Sequence, residues 1–467
     1  MSDPSNPARA GGRRRIPLLA RFHELAPAPR KFLAFSLFNV VSWQCIVGPV
    51  LILLARKIEM PPSWVGCLIS FMPLSMVLVV LTVSLMTHLG PKRLMFWGWL
   101  SRNLIMCSVF AMPWAMAHWG PRSGWYVLMG AVLGFCVVRA LGASAWFPWL
   151  HEVVPKAQRG AFFSTETGMV QLVSIAVLFV QGLILMGDPH LGRFLAVYGI
   201  GVGAGLISLV WMLRVPGGLR AATVTETDTG IRRYRPVLND RAFLRFVLTA
   251  SLSFSCISWL ASSVVLYLRE ILHLSSREIM LYMTAGSIGV LLTIGPWSRF
   301  ADHSGSGRAM FKTLTGHALV ALLYLGLFPG AWWTPYALVP ALMLSSSFSA
   351  AFYTSAHRAM LNYTKASARA VYSSVWFIGT SIAVGTTPIL AGVIIDAWGF
   401  WGFRLCFSLA GAAGLAAALV CRSVVRDGAP IDPSTESLLN PTLPLRTLAR
   451  IAWITLGLHE SSRAERE

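Results

Sequence analysis

The sequence predicts an all-α membrane protein in which twelve transmembrane helices form two pseudo-symmetric six-helix halves. Three observations predict it. Of 467 residues, 55% are hydrophobic and only 12% charged, too little polar surface for a soluble chain of this size. Apolar runs recur at the roughly 20 residues a helix needs to cross about 30 Å of hydrocarbon. Short motifs in the first half of the chain also return in the second half at a nearly constant offset.

The spans are expected at 32–55, 64–88, 94–118, 124–148, 161–187, 192–214, 243–267, 279–301, 310–330, 334–358, 371–395 and 400–421. Residues 1–31 are polar and basic, with no apolar core and cleavage site, and read as a cytoplasmic arm. Residues 215–242 form an Arg-rich cytoplasmic linker between the six-helix bundles 32–214 and 243–421. The tail, 422–467, leaves the membrane, and its stretch "LRTLARIAWITLGL" has one apolar face, fit to lie on the inner leaflet or to pack on the bundle. With the N-terminus inside, 30 of the 39 Lys and Arg fall on the cytoplasmic side, seven outside, and Arg102 and Arg139 within spans. Positive residues stay inside, so both termini are expected in the cytoplasm of a cell inner membrane.

Net charge +20 does not indicate a nucleic-acid partner, because the basic residues lie in short clusters between apolar runs. The seven cysteines all lie in apolar segments with no CxxC pair, so neither a disulfide framework nor a metal site is expected. No cofactor motif is present, and a monomer is expected.

The duplication is carried by four matches. "FNVVSW" ends at Trp43 and "FSCISW" at Trp259, 216 positions later; "RGAFFS" begins at Arg159 and "RAVYSS" at Arg369, 210 later. From each of those arginines it is 23 residues to a glycine, Gly182 or Gly392, and Gly90 and Gly305 stand 215 apart in equivalent turns. Four matches at nearly one offset indicate a duplicated six-helix unit.

Two such halves, a basic central linker and repeated intracellular turns resemble the major facilitator superfamily over about residues 30 to 425. The turn "DHSGSGR" is similar to the family's acid–glycine–basic turn through Asp302, Gly305 and Arg308. "THLGPKR" keeps Gly90, Lys92 and Arg93 but has Thr87 in place of the acid. The resemblance assigns gating to Gly90, Arg93, Asp302, Gly305, Arg308, Arg159 and Arg369. "RALGASA" with Arg139, and "LHEVVPKAQRG", match the family's fourth span and the turn after it, whereas the proline of the antiporter signature is missing from span 5.

The resemblance also implies that spans 1, 4, 7 and 10 line a central cavity. Substrate contacts are then expected from Asn39, Trp43, Gln44, Arg139, Ser255, Trp259, Ser346 and Tyr353, with Trp43 and Trp259 facing one another across the cavity or packed between helices. Arg139 lies nine residues, about 13 Å, from the expected end of span 4, too deep for easy escape to the interface. Arg102 and Glu166 lie at similar depth, and an Arg139–Glu166 pair would hold both charges in low dielectric. Coupling is therefore assigned to Arg139, Glu166 and Arg102. Pro73 and Pro388 are expected to bend spans 2 and 11, and a lone His317 in span 9 is expected to be structural.

These features imply a secondary active transporter of a small organic solute, an anion or a sugar, with proton coupling. An efflux carrier and a non-transporting sensor or scaffold on the same fold are the alternatives. The chain has no GxxxxGK[ST] loop for an ATP-driven pump and no HExxH or facing Ser/His constellation for an enzyme.

Overall fold

The computed structural model describes residues 25–79, 82, 85, 88–143, 145–154, 159–187, 189–219, 234–365 and 369–425. The N-terminal arm before Leu25, most of the linker and the tail with its amphipathic stretch lie outside them. Within them, eleven helices are long and apolar enough to cross a bilayer, and a twelfth, Pro62–Leu78, is apolar and shorter. Span 1 runs Pro27–Lys57, span 2 starts at Pro62, span 3 runs Pro91–Trp119, span 4 Ser123–Ala143, span 5 Arg159–Ile184 and span 6 Leu191–Arg214. In the second half, span 7 is Arg241–Glu270, span 8 Ser276–Ser304, span 9 Ser306–Leu323, span 10 Thr334–Tyr363, span 11 Arg369–Trp398 and span 12 Phe400–Val424.

Proline opens several of these helices. Pro27, Pro49, Pro62 and Pro91 each stand at the first position, where a missing N–H goes unnoticed. The same chemistry interrupts helices. Span 1 breaks at Val47 and Gly48 ahead of Pro49, and span 2 tightens into a 3₁₀ turn, Met76–Leu78, just beyond Pro73. Span 4 is shorter than expected. It stops at Ala143 and a separate helix, Trp146–Val153, follows, with Pro148 in the first turn of that second helix, where a missing N–H is tolerated. Span 7 is capped by Asp240, whose carboxylate accepts from the Phe243 N–H at 3.2 Å, and span 8 by a Ser275/Glu278 capping box.

The duplication visible in the sequence is a packing fact. Span 1 packs on spans 5 and 6, and span 7 on spans 11 and 12; span 3 packs on span 4, and span 9 on span 10. The equivalent turns also dock alike. Gly90 and Gly305 both take left-handed φ values, 75° and 89°, which a side chain would disfavour. Beyond Gly90, the Lys92 ammonium donates to the Leu213 carbonyl at 3.0 Å and to that of Val215 at the end of span 6. Beyond Gly305, Gly307 lies against the Val425 carbonyl at the end of span 12.

The halves meet through two seams, span 2 against span 11 and span 5 against span 8. A single apolar core containing Leu53, Val65, Phe135, Tyr198, Leu266, Ile279 and Phe407 crosses between them at the face away from the termini. Toward the terminus-bearing face it divides. Phe32, Trp99, Trp149 and Met212 form a core of the first half only, and Phe243, Phe246, Tyr372 and Trp376 a core of the second half only.

Candidate functional site

The core divides where a cavity between the halves is expected, and beside that place the first half holds two arginines. Arg102 of span 3 is fully buried. Its Nη2 donates to Asn39 Oδ1 of span 1, which also accepts from Trp99 Nε1 at 2.9 Å. The guanidinium lies 4.5 Å from the Trp99 ring centre and 5.1 Å from that of Phe135, and its Nε and Nη1 have no hydrogen-bond partner. Arg139 of span 4 rests over the Trp43 ring at 4.5 Å, with Nη1 3.6 Å from Met76 Sδ in the 3₁₀ turn of span 2. Cation–π contacts soften the cost of such charges but do not neutralise them.

The expected Arg139–Glu166 pair is not formed. Glu166 of span 5 instead accepts from the Ser36 hydroxyl of span 1 at 2.7 Å. The preference is physical, because Trp43 and the span 2 kink already hold the guanidinium on the cavity side of span 4. Among the described residues neither arginine contacts a carboxylate.

The remaining predicted contacts divide into those that line the cavity and those that tie helices. Asn39 serves mainly to hold Arg102. Gln44 donates to Ser174 Oγ at 3.1 Å, and buried Gln181 returns a bond to the Gln44 carbonyl, so this group fastens span 1 to span 5. Ser255 Oγ lies 2.7 Å from Thr387 Oγ1 of span 11, and Ser346 Oγ lies against Gly286 of span 8. Trp43 and Trp259 are both half-buried at the edge of the shared core. Tyr353 is 39% exposed, its ring 4.5 Å from that of Phe254 on span 7. His317 is buried, with Nδ1 3.3 Å from the Ser345 carbonyl.

At the terminus-bearing end, Asp302 pairs with Arg358 of span 10 at 3.2 Å, Arg93 is exposed and Arg308 half-buried. The side chains of Arg159 and Arg369 lie outside the described residues. Nearby, Asp240 bonds to Lys365 at 2.8 Å and to the Tyr372 hydroxyl at 2.9 Å. The Lys365 ammonium, the Phe243 N–H and that hydroxyl together push the Asp240 pKa down to about 2, while Lys365 rises in turn.

The sealed face holds contacts that the sequence reading missed. Arg56 at the end of span 1 forms an ion pair with Glu270 at the end of span 7, 2.8 Å apart. The two positions are 214 residues apart, close to the repeat offset, so the pair joins the ends of corresponding spans of the two halves. At the seam of spans 2 and 11, the Ser63 N–H donates to Asp396 Oδ2 at 2.8 Å, and Gly392 is so close to span 2 that a Cβ would stand 2.4 Å from the Pro62 carbonyl oxygen. At the seam of spans 5 and 8, Arg277 donates to Met186 Sδ at 3.3 Å, and a Cβ on Gly182 would stand 3.4 Å from Met280 Cβ.

The family model described as Major Facilitator Superfamily matches residues 247–458. No curated protein sequence matches the chain. Among solved structures, the nucleoside transporter NupG superposes with a TM-score of 0.60 at 13% identity, covering 88% of this chain and 99% of that one. A bacterial homologue of the iron transporter ferroportin in an inward-facing state gives 0.63 at 14% identity, covering 86% and 99%. The E. coli fucose:proton symporter FucP gives 0.58 at 15%, covering 85% and 98%. At these identities the likeness is one of fold.

Proposed function

We propose that the chain, matched by the Major Facilitator Superfamily model over residues 247–458 and similar in fold to solved transporter structures over most of its length, is a secondary active transporter of that superfamily that carries a small organic anion. The observation that carries the anion is Arg102, wholly buried with two nitrogens unpartnered, beside an Arg139 that likewise touches no carboxylate among the described residues. A guanidinium stays charged at any biological pH. Left uncompensated in low dielectric it costs several kcal/mol, which an incoming anion offsets.

Half-buried Arg139 makes the direct contact, and Arg102, held by Asn39, adds positive potential behind it. Trp43 and Trp259 supply apolar surface from the two halves, and Ser346 and Tyr353 supply hydroxyls. Alternating access follows if the two halves rock about this site. The described state is closed at the face away from the termini, so the opposite state requires the Arg56–Glu270 pair and the Ser63–Asp396 bond to part. Glu166, hydrogen-bonded to Ser36 one turn from Asn39, is the acid of the first half available to carry a coupling proton. The bias of positive residues orients the bundle with both termini in the cytoplasm of an inner membrane.

Liposome counterflow with a panel of organic carboxylates, sugars and nucleosides tests the reading. Carboxylates should exchange, and Arg139→Gln should raise their apparent KM about 30-fold, the equivalent of about 2 kcal/mol for one lost charge pair. Carboxylate exchange unaltered by Arg139→Gln would overturn it.

A further inference from the structure

The second half contributes a titratable side chain to the cavity that none of the roles above employs. His357 stands one turn beyond Tyr353 in span 10, with Nδ1 2.8 Å from the Tyr353 carbonyl oxygen. A carbonyl only accepts, so Nδ1 carries a hydrogen and, in the neutral ring, Nε2 carries the free lone pair. His357 is exposed, yet its ring centre lies 6.0 Å from that of buried Trp376 on span 11 and 6.4 Å from that of Tyr353, whose ring in turn meets Phe254 of span 7. Span 10 packs on spans 8 and 9, whereas spans 7 and 11 pack on each other. Rings that reach from span 10 toward spans 7 and 11 therefore border the gap between those two groups of helices, and both rings keep exposed surface.

Resting on the reading of this cavity as an organic-anion seat, we propose that His357 is a second proton site beside Glu166: Nε2 takes a proton from the aqueous cavity and the resulting N–H donates to the same anion that Arg139 holds from the first half. The neutral ring turns only a lone pair toward an anion, which repels it. The charged ring offers a donor and a positive charge, so proton and anion each favour the binding of the other.

The surroundings leave that exchange to the solute. On its own helix the neighbours are Tyr353 and Arg358, and Arg358 is engaged by Asp302 of span 8. Span 11 presents Trp376, while its Tyr372 hydroxyl is taken by Asp240, itself paired with Lys365. Span 7 presents Phe254. Among the described residues no carboxylate contacts the ring, so the negative charge that stabilises the imidazolium comes with the transported anion.

The test uses the full chain in lipid nanodiscs, with benzoate and succinate as probes. In protein labelled with ¹⁵N-histidine, the resonance missing from His357→Gln identifies the ring, which is followed between about pH 5 and about pH 8 and should gain its proton toward the acid end. Either carboxylate should bind about fivefold tighter at the acid end of that range than at the alkaline end. His357→Gln should remove that difference and leave the weaker affinity, and His357→Lys should bind tightly at both ends. A His357 that stays neutral through the range, or a His357→Gln variant that keeps the pH difference, overturns the proton site while leaving the anion seat standing. Absence of carboxylate binding in the wild type at either pH instead overturns the anion seat and the coupling with it.

Discussion

The two seams that join the halves occupy equivalent places in a duplicated structure, yet they are built differently. Where span 2 meets span 11, Gly392 lets two backbones touch and Asp396 accepts from the exposed Ser63 N–H at a helix start, the end of a helix dipole that favours a carboxylate. Where span 5 meets span 8, a Cβ on the matching Gly182 would meet only ordinary contact distances, and the matching polar contact is a guanidinium against a thioether sulfur. Duplication therefore conserved the geometry of contact and let its strength diverge. One seam is a tight joint and the other a looser one, so the halves are expected to part more easily along spans 5 and 8.

Substitution at the paired glycines gives the sharpest test. Gly392→Ala places a methyl 2.4 Å from the Pro62 carbonyl oxygen and 2.8 Å from Ser63 Cα, both backbone atoms. The overlap should destabilise the sealed state by about 1–3 kcal/mol, seen as a lower midpoint of thermal unfolding and as greater labelling of half-buried Cys67 on span 2 from the sealed face. Gly182→Ala meets ordinary contact distances and should change stability by well under that amount. Equal losses at the two glycines would break the comparison.

The Arg56–Glu270 pair comes next in size. Both side chains are partly exposed, 26% and 21%, so removing either charge should cost no more than about 1 kcal/mol. The exchange Arg56→Glu with Glu270→Arg should restore most of it, because it keeps opposite charges at the same two helix ends. A double variant as weak as either single one would show that local surroundings, and not the attraction of the pair, set its contribution.

The smallest effect contrasts how the halves begin. Span 7 opens on Asp240, whereas span 1 opens on Ala26 and Pro27 with no side-chain cap. Because the folded Asp240 pKa is depressed to about 2, its contribution is present above the ordinary carboxylate value of about 4 and is lost as pH falls toward 2. Acid unfolding of wild type should therefore show a limb in that window that Asp240→Asn lacks. An unchanged acid limb would remove this difference between the halves.

Much of this was legible in the chain. Apolar runs gave the spans, and the recurrence of Trp43 as Trp259 and of Gly182 as Gly392 marked the duplication. In the structure both of those glycines lie where the halves meet. Partner choice was not legible. Arg139 and Glu166 share a depth, but depth along helices does not fix azimuth, and the rotation of spans 4 and 5 sends one side chain to Trp43 and the other to Ser36. Gln44 was read as a ligand contact for the same reason, and the neighbouring face of span 5 claims it through Ser174 and Gln181. His357 escaped notice because a histidine near a helix end signals nothing until the rings of other spans surround it.

The sequence by itself determined that this chain crosses a membrane many times, that its two halves are copies and that its positive charge gathers on one side. Those properties follow from transfer free energies and from repetition, which act residue by residue along the chain. Only the tertiary structure decided which face is sealed, that Arg56 meets Glu270, and that Arg102 and Arg139 touch no carboxylate among the described residues. Helix rotation and helix pairing are settled by packing between segments distant in sequence, and no local preference of the chain encodes them.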